Sequence, residues 1–169
     1  LITFSLSSTH SHFNFSAPEP TGVVAAIAPQ NSSLIGLVSI IAPIIAGGNS
    51  CIVLASSTKP LCAVTFGEVL NSSDLPGGVV NILTGKLSEL LPFFADHMDV
   101  NAAVYCEKDE ASQKLIKEKA ALNVKRISIF DKVDWMSDKA QSPYFIMDFQ
   151  EIKTTWHPIE NIGGAKAGY

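Results

Sequence analysis

Short apolar runs rich in Val, Ile and Ala alternate along most of the chain with longer segments whose apolar residues recur at helical spacing. The first run, Val23 to Ala28, is continuous and stops at Pro29. That is the pattern of a buried parallel strand ended by a residue that cannot donate to the ladder. Leu34, Leu37, Val38, Ile41 and Ile45 then recur at helical spacing, with Asn31, Ser32 and Ser33 as candidate N-cap side chains and Gly47 and Gly48 as a stop. This segment, 34–46, is apolar almost all round and predicts a buried helix, with a kink or an early end near Ala42 imposed by Pro43.

Four further strands are predicted over Cys51 to Leu54, Val79 to Leu83, Ala102 to Cys106 and Val124 to Phe130. Helices are expected from Pro60 to Leu70, from Leu87 to Phe94 and from Lys108 to Leu122, the last with a charged face and a stripe through Ala111, Leu115 and Ile116. Strands alternating with helices in this way predict an α/β fold: a Rossmann-like parallel sheet of five strands, right-handed crossovers and helices on both faces. Beyond residue 131 the pattern changes. Lys132 to Pro143 is polar and irregular, Tyr144 to Trp156 alternates like a strand or hairpin outside the main fold, and the tail NIGGAKAGY has no periodicity and reads as flexible or in need of a partner. The expected organisation is therefore a Rossmann-like domain over 1–131, carrying an extended segment over 1–18, followed by a connector and terminal strand over 132–169.

At 169 residues the chain is long enough for one cored domain. Hydrophobic residues make up 47% and charged residues 17% of it, with a mean hydropathy of +0.25, which suggests either surface covered by another subunit or domain or a plain α/β core rich in Val, Ile and Ala. The net charge of −4 leaves no footprint for nucleic acid or an anionic membrane surface. Cys51, Cys62 and Cys106 have neither zinc-site nor disulfide-framework spacing, so a reducing, cytoplasmic home is expected. No targeting or membrane-spanning segment is read, and the start at Leu1 rather than Met suggests a fragment or missing chain ends. His10 and His12 suit a polar edge-strand pair and His97 a helix end; with His157 they form no expected metal site.

The string EPTGVVAAIAPQN, a helix ending AGGN, the strand CIVL and then LPGGVVNILTG resemble, in order and spacing, the aldehyde dehydrogenase superfamily from about Pro18 to Phe130. NVKRISIF sits where that family carries the strand leading to its Glu-Leu-Gly-Gly segment, and FQEIKTTWHP resembles its C-terminal oligomerisation strand. The family places a whole catalytic domain between these landmarks, whereas here only residues 131–148 join them. That arrangement is most similar to the non-catalytic C-terminal half of family 16 aldehyde dehydrogenases.

The resemblance implies oxidation of an aldehyde through a Cys thiohemiacetal, hydride transfer to NAD(P) and a Glu that activates water. The nucleophile belongs to the missing domain; Cys51 and Cys106 read as buried strand residues, and Cys62 has no His in sequence reach. The general-base position is Phe130, whose ring cannot accept a proton, and the neighbouring Asp131 reads as a solvated strand end. Asn31 matches the family's oxyanion-stabilising Asn, although without a nucleophile its expected role is as N-cap; Gln30, Ser32 and Ser33 replace the usual Trp, Phe and Pro beside it. Ala55, Ser56, Ser57 and Thr58 replace the Lys-Pro-Ser-Glu that clamps the adenosine ribose. Cys106 and Glu107 stand where a Gly-Ser meets pyrophosphate, so Glu107 would repel phosphate and satisfy the positive end of the following helix itself.

What survives is a vestigial cofactor pocket of Ala28, Pro29, Asn31, Ala55, Ser57 and Gly85, and no cofactor is expected to bind tightly, NAD(P) being the ligand if the pocket still works. The expectation is a catalytically inactive assembly domain. Ile2 to Phe15 and Ile152 to His157 would pair with each other and join a second copy or a parent dehydrogenase unit. The alternatives are a degenerate nucleotide-binding module and a fragment of an active aldehyde dehydrogenase.

Overall fold

The computed structural model describes residues 12–158. The predicted sites at Ile2, His10 and the tail NIGGAKAGY lie outside them. The described chain runs β1 (His12–Pro20), β2 (Val23–Ile27), α1 (Ile35–Ala46), β3 (Ser50–Leu54), α2 (Leu61–Asn71), β4 (Val80–Leu83), α3 (Leu87–Asp96), β5 (Ala102–Tyr105), α4 (Glu110–Ala121), β6 (Arg126–Ile129) and β7 (Gln150–Pro158).

Five strands form one parallel sheet in the order β4-β3-β2-β5-β6. The order follows from chain direction: the first half winds outward from β2 through β3 to β4, then the chain crosses back to lay β5 on the other side of β2. Two apolar layers cover the faces. Leu37, Ile40, Ile41 and Ile44 of α1 pack with Val24, Ala26, Val53 and Val104 on one face, and Leu91, Phe94, Ala95 and Ile116 pack with Ala25, Ile27, Leu54 and Tyr105 on the other. The alternating residues of β2 therefore serve opposite faces, and both faces are buried, which is why the strand reads as an unbroken apolar run.

The helix α1 departs from expectation at both ends. Asn31 does not cap it; the Ser32 hydroxyl accepts the Gly36 N–H at 3.0 Å instead. Nor does the helix end at Ala42, because it continues through Pro43 to Ala46. Proline deprives only the Ser39 carbonyl of its usual donor, and the burial of Leu37, Ile40, Ile41 and Ile44 outweighs that single loss. Gly48, at φ +85°, turns the chain out of the helix into β3. Gly36 lies so close to Pro29 that a Cβ would collide with the proline ring, so α1 can start tight against the end of β2.

Two other boundaries differ. Val124 adopts a left-handed conformation, φ +57°, so the strand predicted from there begins only at Arg126. Residues 144–149, expected to be extended, instead belong to a 3-10 segment, Pro143–Phe149, that puts Phe149 into the core beneath α1. Alternation of apolar residues over so short a stretch suits either conformation, and burial of Phe149 decides.

The chain clusters into two units, residues 20–150 and the described parts of its ends, 12–19 with 151–158. In the larger unit the segments that lead in and out meet where the Thr21 N–H donates to the Phe149 carbonyl at 3.3 Å. Within the smaller unit β1 and β7 form a two-stranded ribbon. His12 meets Trp156 edge-on, Ser16 and Thr154 share a 2.6 Å hydrogen bond, and Glu19 pairs with Lys153 at 2.7 Å. From His12 and Phe15, opposite Trp156 and His157, to Glu19, opposite Lys153, the partner numbers fall as the strand advances, so the ribbon is antiparallel. Among the described residues no helix is long and apolar enough to cross a membrane.

Candidate functional site

In an open parallel sheet, ligands bind outside the carboxyl ends of the strands where the winding reverses. Here that point lies between β2 and β5. The loop after β2 carries Pro29, Gln30 and Asn31, and the loop after β5 carries Cys106 and Glu107.

Glu107 does not cap the next helix. Asp109 does, its carboxylate accepting the Ala111 and Ser112 N–H groups at 3.2 Å each. These bonds, led by one from the Ser112 hydroxyl, hold the Asp109 carboxyl below its ordinary value. Glu107, released from that role, reaches across the reversal point and accepts the Gln30 backbone N–H at 2.6 Å.

Gln30 is tied on its other side as well. Its side-chain oxygen accepts both the backbone N–H and the hydroxyl of Ser57 at 2.8 Å, and its carbonyl accepts the Ser56 hydroxyl at 2.9 Å. Beyond Glu107, the Gln113 amide donates to the Glu107 carbonyl at 3.0 Å and to Asp131 at 3.2 Å. A chain of hydrogen bonds thus runs Ser57, Gln30, Glu107, Gln113, Asp131 along the carboxyl edge, linking the loops after β3, β2, β5 and β6. Asp131 is half-buried within it and not a solvated strand end.

Asn31, Cys106, Glu107, Lys108, Asp131, Lys132, Val133 and Asp134 line a cleft of about 380 Å³ beside this chain. Of the residues matched to the family's pocket, Asn31 is exposed at the cleft, whereas Ala28, Pro29 and Ala55 are buried. Ser57 is exposed but bonded to Gln30, and Gly85 lies in the turn after β4 near Leu90. Phe130 follows β6 immediately, and its ring packs edge-to-face against Trp135 at 6.4 Å and Phe145 at 5.2 Å. Burial pushes the Cys51 thiol up to about 12, and burial together with the Glu107 charge raises Cys106. Among the described residues no cluster of His, Cys, Asp or Glu could hold a metal ion.

The sequence profile described as the aldehyde dehydrogenase family matches residues 3–129. The chain belongs to the aldehyde dehydrogenase family. The NADP/NAD-dependent aldehyde dehydrogenase PuuC of Escherichia coli is 33% identical over 109 residues, 64% of this chain and 22% of that protein. Aldehyde dehydrogenase 1A1 of Gallus gallus is 34% identical over 118 residues, 69% of this chain and 23% of that one. Among solved structures, PnpE from Pseudomonas sp. WBC-3 superposes with a TM-score of 0.70 at 28% identity, covering 75% of this chain and 26% of PnpE. PnpE in complex with nicotinamide adenine dinucleotide superposes with a TM-score of 0.71 at 27% identity. The chain therefore spans about a quarter of the length of these proteins.

The pairing of Gln30 with Glu107 was not visible in the sequence. These residues are 77 positions apart, and only a carboxylate standing where the family carries Gly-Ser pointed to anything unusual there.

Proposed function

We propose that this chain is a non-catalytic aldehyde-dehydrogenase-type cofactor domain that serves assembly, of the kind that forms the C-terminal half of family 16 aldehyde dehydrogenases. The observation that carries this reading is the Glu107 carboxylate on the Gln30 N–H at the sheet's reversal point. A dinucleotide bound there sets its pyrophosphate against backbone N–H groups. In this chain that donor is already taken by a negative charge of the chain's own, and pyrophosphate would meet repulsion. The ribose end offers no replacement clamp, since Ala55 is buried and Ser57 is engaged by Gln30. A nicotinamide dinucleotide does not fit this arrangement.

The acid-base chemistry is missing in the same way. Phe130 fills the base position with an aromatic cluster, and burial keeps Cys51 and Cys106 protonated at neutral pH. Assembly is supported by the ribbon of β1 and β7, which leaves Phe13, Ile152 and Trp156 half-exposed and gives each strand one partner among the described residues. A further strand from a second copy or a parent dehydrogenase unit would cover that edge.

Two measurements test the reading. Gel filtration with light scattering is expected to give a species larger than the monomer, and a monodisperse monomer at high concentration overturns the assembly role. Calorimetric titration with NAD and NADP is expected to show nothing tighter than about 0.1 mM, or about 5.5 kcal/mol; tighter binding would revive a nucleotide-binding module. One observation favours a second reading, as a piece of an active NAD(P)-dependent dehydrogenase: the chain spans only about a quarter of its relatives. Intact mass of the protein isolated from its source decides between them, a chain of full dehydrogenase length supporting the second.

A further inference from the structure

The Glu107 carboxylate does more at the reversal point than fail to bind phosphate. It makes the contact that a bound anion would make, accepting the Gln30 N–H at 2.6 Å across the gap between β2 and β5. Its own turn needs nothing from it, because Asp109 satisfies the first N–H groups of α4. Gln30, in turn, is held in position to donate by the Ser56 and Ser57 bonds, which do not involve Glu107. The donor is therefore built independently of the acceptor that occupies it. Beside it, Lys108 and Lys132 line the same cleft together with Asp131 and Asp134, so Glu107 is the charge that tips the cleft's balance towards negative.

We propose that Glu107 is an intramolecular anion that occupies and closes a latent pyrophosphate-binding crevice between the loops after β2 and β5. This inference rests on the reading above that the wild-type chain binds no dinucleotide. Removing the carboxylate leaves the Gln30 N–H oriented and unfilled and removes one negative charge, so a diphosphate gains both a donor and a less repulsive site. Charge-assisted hydrogen bonds of this kind are strong enough to change affinity by about tenfold or more.

The test is calorimetric titration of the full chain with inorganic pyrophosphate, in wild type, Glu107→Gly and Glu107→Gln. Glu107→Gly empties the crevice, while Glu107→Gln keeps its shape and cancels its charge. The expected result is an affinity gain of about tenfold or more in Glu107→Gly and a smaller gain in Glu107→Gln, with the Gln30 amide resonance shifting on titration in both. If Glu107→Gly does not fold, Glu107→Gln decides alone. Folded variants that bind pyrophosphate no better than wild type overturn the proposal. Tight wild-type binding of NAD would instead overturn the functional reading, so the two failures are told apart.

Discussion

The Asn49 side-chain amide donates to the carbonyl of Phe149 at 3.0 Å, one hundred positions away in the chain. The same amide donates to Ile44 at 3.1 Å, and its oxygen accepts the Gly22 N–H at 2.9 Å. One buried side chain thus satisfies the end of α1, the start of β2 and the last residue before β7. Asn49→Ala is expected to destabilise the fold by about 2 to 4 kcal/mol, since it leaves several buried backbone groups without partners. Urea unfolding followed by circular dichroism measures this, and a loss within error of zero would show that water replaces the amide.

Phe130 stands where the family resemblance places a general base. Phe130→Glu restores the residue type but sets a carboxylate against Trp135 and Phe145. The expected outcome is a loss of about 2 to 4 kcal/mol of stability and no aldehyde-dependent formation of NADH. Measurable turnover by this variant would contradict the inactivity argued above.

The thiols give a pH dependence of defined sign. Cys51 titrates near 9 when exposed and is pushed up to about 12 by burial, and Cys106 is raised in the same direction. Between those values the unfolded chain releases a proton that the native chain keeps, so stability is lost as pH rises above about 9 and is unaffected by these groups below it. Urea midpoints taken from neutral to alkaline pH should decline in that window, and the decline should be shallower in Cys51→Ala. In native protein a thiol reagent should modify Cys62, which is half-buried, well before either core cysteine.

If the ribbon carries the proposed assembly contact, disrupting it should leave the sheet intact. Thr154 bonds to Ser16 across the two strands, and Thr154→Pro removes both that hydroxyl and a backbone donor from β7. Light scattering should show the variant shifted towards monomer, while far-ultraviolet circular dichroism keeps the α/β signature. An unchanged oligomer would place the contact elsewhere on the surface.

How much of this was legible in the sequence depends on the range of the interaction. The five strands and four helices of the sheet unit follow from local apolar pattern and were readable to within a few residues. Pro43 misled because its cost is local, whereas the burial that overrides it comes from strands distant in the chain. Phe149 misled because alternation over a short segment does not distinguish an extended strand from a 3-10 turn. At the site, Phe130 and Ala55 could be judged from residue type alone. The bonds joining Ser57, Gln30, Glu107, Gln113 and Asp131 could not, because they connect five loop or helix positions that only the sheet order brings together.

The Thr21 to Phe149 hydrogen bond places the two covalent connections of the larger unit side by side. A body attached through adjacent points behaves as an insert: it can be spliced into a host loop without stretching the host, and its original ends can be joined while new ones are opened at an exposed turn such as 72–78. In evolutionary terms, such a cassette can be lost, duplicated or carried beside another unit as a whole.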